Sequence, residues 1–293
     1  ITGISIASAA IFSRVAAPPM IELGFTARFS LGLIAGSSVL GMLIPPSLLL
    51  IIYGVIAEVS INKLFLAAIV PGIILALMLC ATVIICVLFR LPFAVTSEYS
   101  DVPPKPEKIN TILLMMAPTL TLLFVVIGGI YGGIFTPTEA GAVGALMAIF
   151  IALAMKRVTF IQTYNLIKDA AGKTASILLM VIAATSFGLM ITLSGLPDIM
   201  SSIASGSGLG LTGYVFIYLV ALVLLGMVLD STSILLIMVP LAMPTVLDLG
   251  GDLVWFGIIT VIGVEVGLLT PPLGLSVFAI KASIDDPDIS LND

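Results

Sequence analysis

The sequence predicts an all-α integral membrane protein with two re-entrant hairpins and two broken transmembrane helices arranged as an inverted repeat. Three observations predict it: an apolar composition, long runs without charge, and a self-match between the two ends of the chain. Of 293 residues, 60 % are hydrophobic and 9 % charged, and the mean hydropathy is +1.30. Soluble domains carry about 25 % charged residues, and a folded chain in water must still cover itself with polar groups.

Composition also excludes functions. The chain has no histidine, so it can build no imidazole relay, no imidazole-bound metal and no His-ligated haem. Cys80 and Cys86 lie in one apolar run, too far apart for a CxxC pair, and read as small core hydrophobes. A pI near 4.6 with scattered basic residues argues against nucleic acid as a partner. The chain opens at Ile1 with neither an initiator Met nor a basic leader, which reads as the middle of a longer protein.

Four ordinary spans follow from the charge-free runs, at 64–89, 111–130, 138–156 and 174–194, each near the roughly 20 apolar residues a crossing needs. The stretches 1–58 and 211–283 differ: Gly, Pro, Ser and single charges interrupt them at mid-membrane depth. Arg90, Lys105 and Lys108 flank the polar loop 92–110, while Lys156, Arg157, Lys168 and Lys173 flank 157–173. Two spans separate these clusters, so both fall on one side, cytoplasmic by the positive-inside rule. Segment 158–172 then reads as an amphipathic helix on the inner surface, and loop 195–212, free of Lys and Arg, falls outside.

Shifting the chain along itself by 226 residues aligns its ends without a gap: Ser5 falls on Ser231, Pro18 on Pro244, Leu23–Gly24 on Leu249–Gly250, Gly41 on Gly267 and Pro45–Pro46 on Pro271–Pro272. Each copy reads as a Ser-rich turn, an apolar arm, a short acidic loop ending in Gly, then a span broken at a double Pro. Counting crossings from the cytoplasmic loop, the broken spans 28–58 and 253–283 run in opposite senses. Inverted copies with broken helices are a signature of secondary transporters.

The breaks carry the chemistry. A double Pro cannot sit inside a continuous helix, and it frees carbonyls that hydrocarbon cannot satisfy. If the turns at Ser5/Ser8 and at Ser231-Thr232-Ser233 are hairpin tips, hydroxyls and carbonyls of tip and break converge at mid-membrane. Oxygen-only ligation suits a hard cation such as Na⁺, and half-helix N-termini suit an anion.

These residues also carry a resemblance. GMLIPPS at 41–47, GGIFTPTEAGAV at 132–143 and GLLTPPLG at 267–274, with ITGISIASAA at the start and MVLDSTSILLIMVP at 227–240, resemble the large membrane (DctM-like) subunit of tripartite ATP-independent periplasmic (TRAP) transporters. The resemblance spans essentially the whole chain. It implies an elevator-type secondary transporter of the bacterial inner membrane, not an enzyme, with no cofactor and with Na⁺ as coupling ion. It also implies import of a small organic anion such as a C4-dicarboxylate or sialic acid, delivered by a periplasmic binding protein, with a smaller membrane subunit as partner.

Carried over residue by residue, the first tip becomes Thr2–Ser8 with its break at Gly41–Pro46, and the second becomes Leu229–Ser233 with its break at Gly267–Pro272. The family pattern implies one Na⁺ at Ser5, Gly41 and Pro45 and another at Ser231, Thr232, Gly267 and Thr270, with substrate between the tips beside Ser5, Ser8, Asp230 and Ser233. The implied division is a first transport repeat 1–58, a scaffold helix and cytoplasmic loop 59–110, linking helices 111–194, a second transport repeat 195–283 and a polar tail 284–293. Against the family pattern, spans before the first hairpin and after the second broken helix are missing.

Acids in a membrane are costly and point to function by default. Asp230 reads either as a holder of the second tip beside a cation or as a helix N-cap. Glu265, two residues before Gly267, reads as a structural acid ahead of one that responds to an ion or a proton. Glu139 reads as the cap of the span that follows it. Arg14 reads as snorkelling to the cytoplasmic face ahead of attracting an anionic substrate. Gly128-Gly129 with Gly132-Gly133, and Gly141 with Gly144, read as close helix packing. The alternative coupling is H⁺, with Glu265 or Asp230 as carrier. A Ser nucleophile is disfavoured because no His or nearby Lys supplies a base.

Overall fold

The computed structural model describes residues 5–95, 109–206, 208, 210–272 and 274–283. Among them every regular element is a helix, and the one extended pairing is an isolated bridge between Phe25 and Val95. Thr2, most of loop 92–110 and the tail 284–293 lie outside the described residues.

The helices are α1 (Ser5–Glu22), α2 (Ala27–Ser38), α3 (Leu40–Leu43), α4 (Leu48–Ile56), α5 (Ile61–Leu88), α6 (Ile109–Tyr131), α7 (Pro137–Ala154), α8 (Phe160–Leu193), α9 (Leu196–Gly206), α10 (Gly210–Gly226), α11 (Ser231–Asp248), α12 (Leu253–Leu269) and α13 (Leu275–Ser283). By length and composition α5, α7, α8 and α11 each suffice to cross a membrane, and α2–α3 with α4 form a further span bent by 44°. Most of α5, α7 and α8 faces outward: Val70, Leu77, Leu88, Leu146 and Leu179 are all exposed. Such apolar, unburied helices need lipid around them. The chain is a multi-pass membrane protein.

Two elements differ from the expectation. Segment 158–172 and the span 174–194 form one unbroken helix, α8, because no Pro or turn Gly separates them. Stretch 195–212 is not all loop: α9 fills its first half, with Pro197 in the first turn where its missing N–H is harmless.

Helix boundaries repeat at the spacing seen in the sequence. α1 ends at Glu22 and α11 at Asp248; α2 starts at Ala27 and α12 at Leu253; α3 ends at Leu43 and α12 at Leu269. Gly24 and Gly250 close α1 and α11 with φ of 89° and 77°, a left-handed turn that Gly adopts without a Cβ penalty. Thr26 Oγ1 accepts from Phe29 N as Asp252 Oδ1 accepts from Trp255 N, so equivalent side chains cap equivalent helices. Both double prolines carry a cis peptide bond. The copies part at Val39, where the first is interrupted between α2 and α3 while α12 runs on.

The chain divides into two compact units, residues 1–101 with 183–293, and residues 102–182. In the first, each arm packs on its own copy and on the tail of the other: α1 lies on α2 and α13, and α11 lies on α12 and α4. Ala9 and Ala17 of α1, Ile34 and Ala35 of α2 and Ile280 of α13 form one core. Small residues let these helices approach closely, which packing within lipid requires. A second core gathers Tyr53, Tyr218 and Phe256, with the Phe256 ring 4.8 Å from Tyr218 and 6.5 Å from Tyr53. Tyr53 Oη donates to the Leu253 carbonyl at 2.6 Å, tying α4 to the start of α12.

In the second unit α6 packs on α7. The TPTE stretch makes a capping box: Glu139 N donates to Thr136 Oγ1 at 3.3 Å and Thr136 N to Glu139 Oε2 at 2.8 Å, with Pro137 in the first turn. Glu139 is therefore a helix cap. Gly144 leaves only 2.8 Å between an added Cβ and Val126, and Gly129 lies against the Phe135 ring, whereas Gly128 and Gly141 have open space. Packing accounts for half of those glycines.

Candidate ion and substrate site

Pro45 and Pro46 lack N–H groups, so the carbonyls of Gly41 and Met42 have no amide four residues on. The same holds for Gly267 and Leu268 against Pro271 and Pro272. Gly267 O recovers one bond, from Thr270 N at 3.0 Å. Ser47, fully buried, restarts the first helix by accepting from Leu50 N at 3.3 Å.

Glu265 is the centre of the site. It is 1 % exposed, and the hydroxyls of Ser5 and Ser231 both interact with its carboxyl group. Three elements meet there: α1, α11 and α12. The set is only partly satisfied, because Ser5 Oγ and Glu265 Oε1 have no well-formed hydrogen bond. A buried polar atom without a partner is costly, and one that persists points to a missing ligand.

The other sequence-predicted residues sort by their partners. Asp230 is exposed and N-caps α11: its Oδ2 accepts from Thr232 N at 3.0 Å and from Ser233 N at 3.1 Å, and Oδ1 accepts from Ser233 Oγ. Asp230, Thr232 and Ser233 thus form one hydrogen-bonded turn at the start of α11. Thr270 Oγ1 donates to the Val266 carbonyl of its own helix at 2.7 Å. Gly267 backs onto the last turn of α10, where Gly226 faces it. Ser8 and Pro45 are buried and Gly41 half-buried, and α1 packs on α3, which carries Gly41. Arg14 Nε donates to the Ser283 carbonyl at 2.9 Å, at the end of α13.

The sequence offers Glu265 both as a structural acid and as one that responds to an ion or a proton; its repeat partner is Val39, so the internal symmetry does not mark it. The signal available was a lone acid in the run 253–280, otherwise free of charge, two residues before the break. Ser276, buried and with Oγ unpartnered on α13, carried no signal at all.

Comparison with known proteins shows the family to which the chain belongs. Residues 1–285 match the family described as tripartite ATP-independent periplasmic transporter, DctM component. The chain belongs to that family. It is 34 % identical over 287 residues to the C4-dicarboxylate TRAP transporter large permease protein DctM of Pseudomonas aeruginosa, covering 96 % of this chain and 65 % of that protein. It is 33 % identical over 274 residues to the ectoine TRAP transporter large permease protein TeaC of Halomonas elongata, covering 92 % and 62 %. It is 29 % identical over 289 residues to the sialic acid TRAP transporter large permease protein SiaM of Vibrio cholerae, covering 98 % and 66 %. The chain thus spans about two thirds of the length of such DctM-family permeases, and the two breaks and both tips lie inside the matched part.

Proposed function

We propose that this chain is the transport core of a TRAP large permease that imports a small organic anion across the bacterial inner membrane, driven by Na⁺. The observation that carries the reading is the meeting of Ser5 and Ser231, 226 residues apart, at the buried Glu265 beside two broken helices. The side chains that meet there, Ser5, Ser231 and Glu265, offer oxygen atoms, the ligation a hard monovalent cation takes.

One Na⁺ is held by Ser5 with Gly41 and Pro45, the other by Ser231 and Thr232 with Gly267 and Thr270, largely through carbonyls that the prolines leave free. The organic anion binds between the tips, beside Ser5, Ser8, Asp230 and Ser233, with Asp230 keeping the second tip in shape. Copies 1–58 and 195–283 form an inverted pair that moves as an elevator against the scaffold helix. A small membrane subunit and a periplasmic binding protein complete the system. The relatives named for C4-dicarboxylate, ectoine and sialic acid support a small polar organic solute without choosing among them.

The test is uptake by the full-length permease with its small subunit and binding protein in liposomes. Uptake of a candidate organic acid under an inward Na⁺ gradient, reduced in Ser231→Ala or Thr270→Ala, is the expected outcome. Uptake driven by a proton gradient alone, and lost in Glu265→Gln, overturns it in favour of H⁺ coupling.

A further inference from the structure

Glu265 is more than the neighbour of one tip. It belongs to the second copy by sequence, yet it interacts with Ser5 of the first copy as well as with Ser231 of its own. The equivalent place in the first copy is Val39, which is apolar and buried, so of this pair of equivalent positions only the second copy's carries a carboxyl group. Among the described residues no Lys or Arg side chain pairs with it: Arg14 is bonded to the end of α13, and only hydroxyls contribute to its surroundings. A carboxyl group at 1 % exposure within a membrane protein either takes up a proton or is offset by a cation. The described residues supply no cation there. Both Glu265 Oε1 and Ser5 Oγ keep acceptor capacity unused.

We infer that Glu265 is the shared counter-charge of both cation positions, one carboxylate that raises Na⁺ affinity at the first-copy site and at the second-copy site together. This rests on the sodium reading above and adds a ligand-shell residue to it. The physical ground is range. A unit charge in a poorly screened interior acts over several ångströms, so a carboxylate touching Ser5 and Ser231 acts on an ion bound beside either. One consequence distinguishes this from a local role: a change at 265 alters the site built on Ser5, although 260 residues of chain separate the two.

The experiment measures Na⁺-dependent protection against thermal unfolding in the purified full-length permease, with choline chloride as the ionic-strength control. Wild type, Glu265→Gln, Ser5→Ala, Ser231→Ala and the two doubles form two double-mutant cycles. In Glu265→Gln the half-saturating Na⁺ concentration is expected to rise by about tenfold or more, the change that ~1.4 kcal/mol produces. Both cycles are expected to be non-additive. Additive behaviour with Ser5→Ala, or an unchanged half-saturation in Glu265→Gln while wild type is protected, overturns the shared role and leaves the sodium reading standing. Wild type protected no better by Na⁺ than by choline overturns both. Should Glu265→Gln fail to fold, Glu265→Asp retains the charge, moves it by one methylene, and reads the same couplings.

Discussion

Ser5 and Ser231, the same position in the two copies of the repeat, face a single carboxyl group, that of Glu265. The relationship is asymmetric in sequence and symmetric in space. Each copy brings a hydroxyl, but only the second brings an acid, and α1 and α11 are each held by a helix of the other copy, α13 and α4 respectively. The two helices that begin with these serines are thus packed against both copies.

Among the described glycines the closest backbone approach lies within the second copy, between Gly226 of α10 and Gly267 of α12. A Cβ added at Gly226 would lie 2.6 Å from Gly267 Cα, and one added at Gly267 would lie 2.9 Å from Gly226 Cα. Backbone cannot yield as a flexible side chain can. Gly226→Ala and Gly267→Ala are each expected to lower stability by about 1–3 kcal/mol, the usual cost of overpacking. The fluorescence-monitored melting of the purified protein checks this, with Gly141→Ala, which meets open space, as the silent control.

Arg14 gives a second outcome. Its bond from Nε to the Ser283 carbonyl places a cation at the C-terminal end of α13, where the helix dipole favours it. Arg14→Ala is expected to cost about 0.5–2 kcal/mol of stability and to leave the concentration dependence of substrate uptake unchanged. A raised KM with unchanged melting would mean that Arg14 meets the anion after all.

Much of this architecture was legible in the sequence because lipid imposes strict rules. Charge-free runs marked α5, α6, α7 and the apolar part of α8, and the double prolines marked both breaks, since Pro removes donors wherever it stands. The 226-residue self-match anticipated the ends of α1 and α11 and the left-handed Gly24 and Gly250. Less legible was whatever depends on which helix meets which. Nothing in the order of residues says that α1 lies on α13, so the partner of Arg14 was hidden. Glu265 was hidden for the same reason: its neighbour Ser5 is remote in the chain, and its own repeat partner is apolar. The join of 158–172 to the following span was missed because an amphipathic segment and an apolar one can share a continuous helix when no breaker intervenes.

The capping box at Thr136 and Glu139 makes a local prediction. Thr136→Ala removes the acceptor for Glu139 N, and the returning bond from Thr136 N to Glu139 Oε2 loses its geometry. The expected loss is about 0.5–2 kcal/mol, while Thr136→Ser keeps the cap and melts like wild type. Glu139→Ala is expected to destabilise to a similar degree without changing Na⁺ dependence, because the acid serves the start of α7 and the ion site lies elsewhere.

The breaks themselves allow the most direct separation of stability from function. Pro45→Ala with Pro46→Ala supplies amides to the orphan carbonyls of Gly41 and Met42, which permits α3 to continue towards α4. Pro45 and Pro46 lie between α3 and α4 and not inside a helix, so the double variant is expected to fold with a stability close to that of wild type. Its uptake should nevertheless fall to background and its protection by Na⁺ should weaken, because carbonyls bonded within a helix no longer face an ion. Pro118→Ala, which removes a proline inside α6, is the control for loss of a helix proline and should retain uptake. Melting temperature and Na⁺-driven uptake measured on the same preparations check this. Full uptake in the double variant would show that the ion is held without the break, and the first Na⁺ position would then have to be rebuilt from side chains alone.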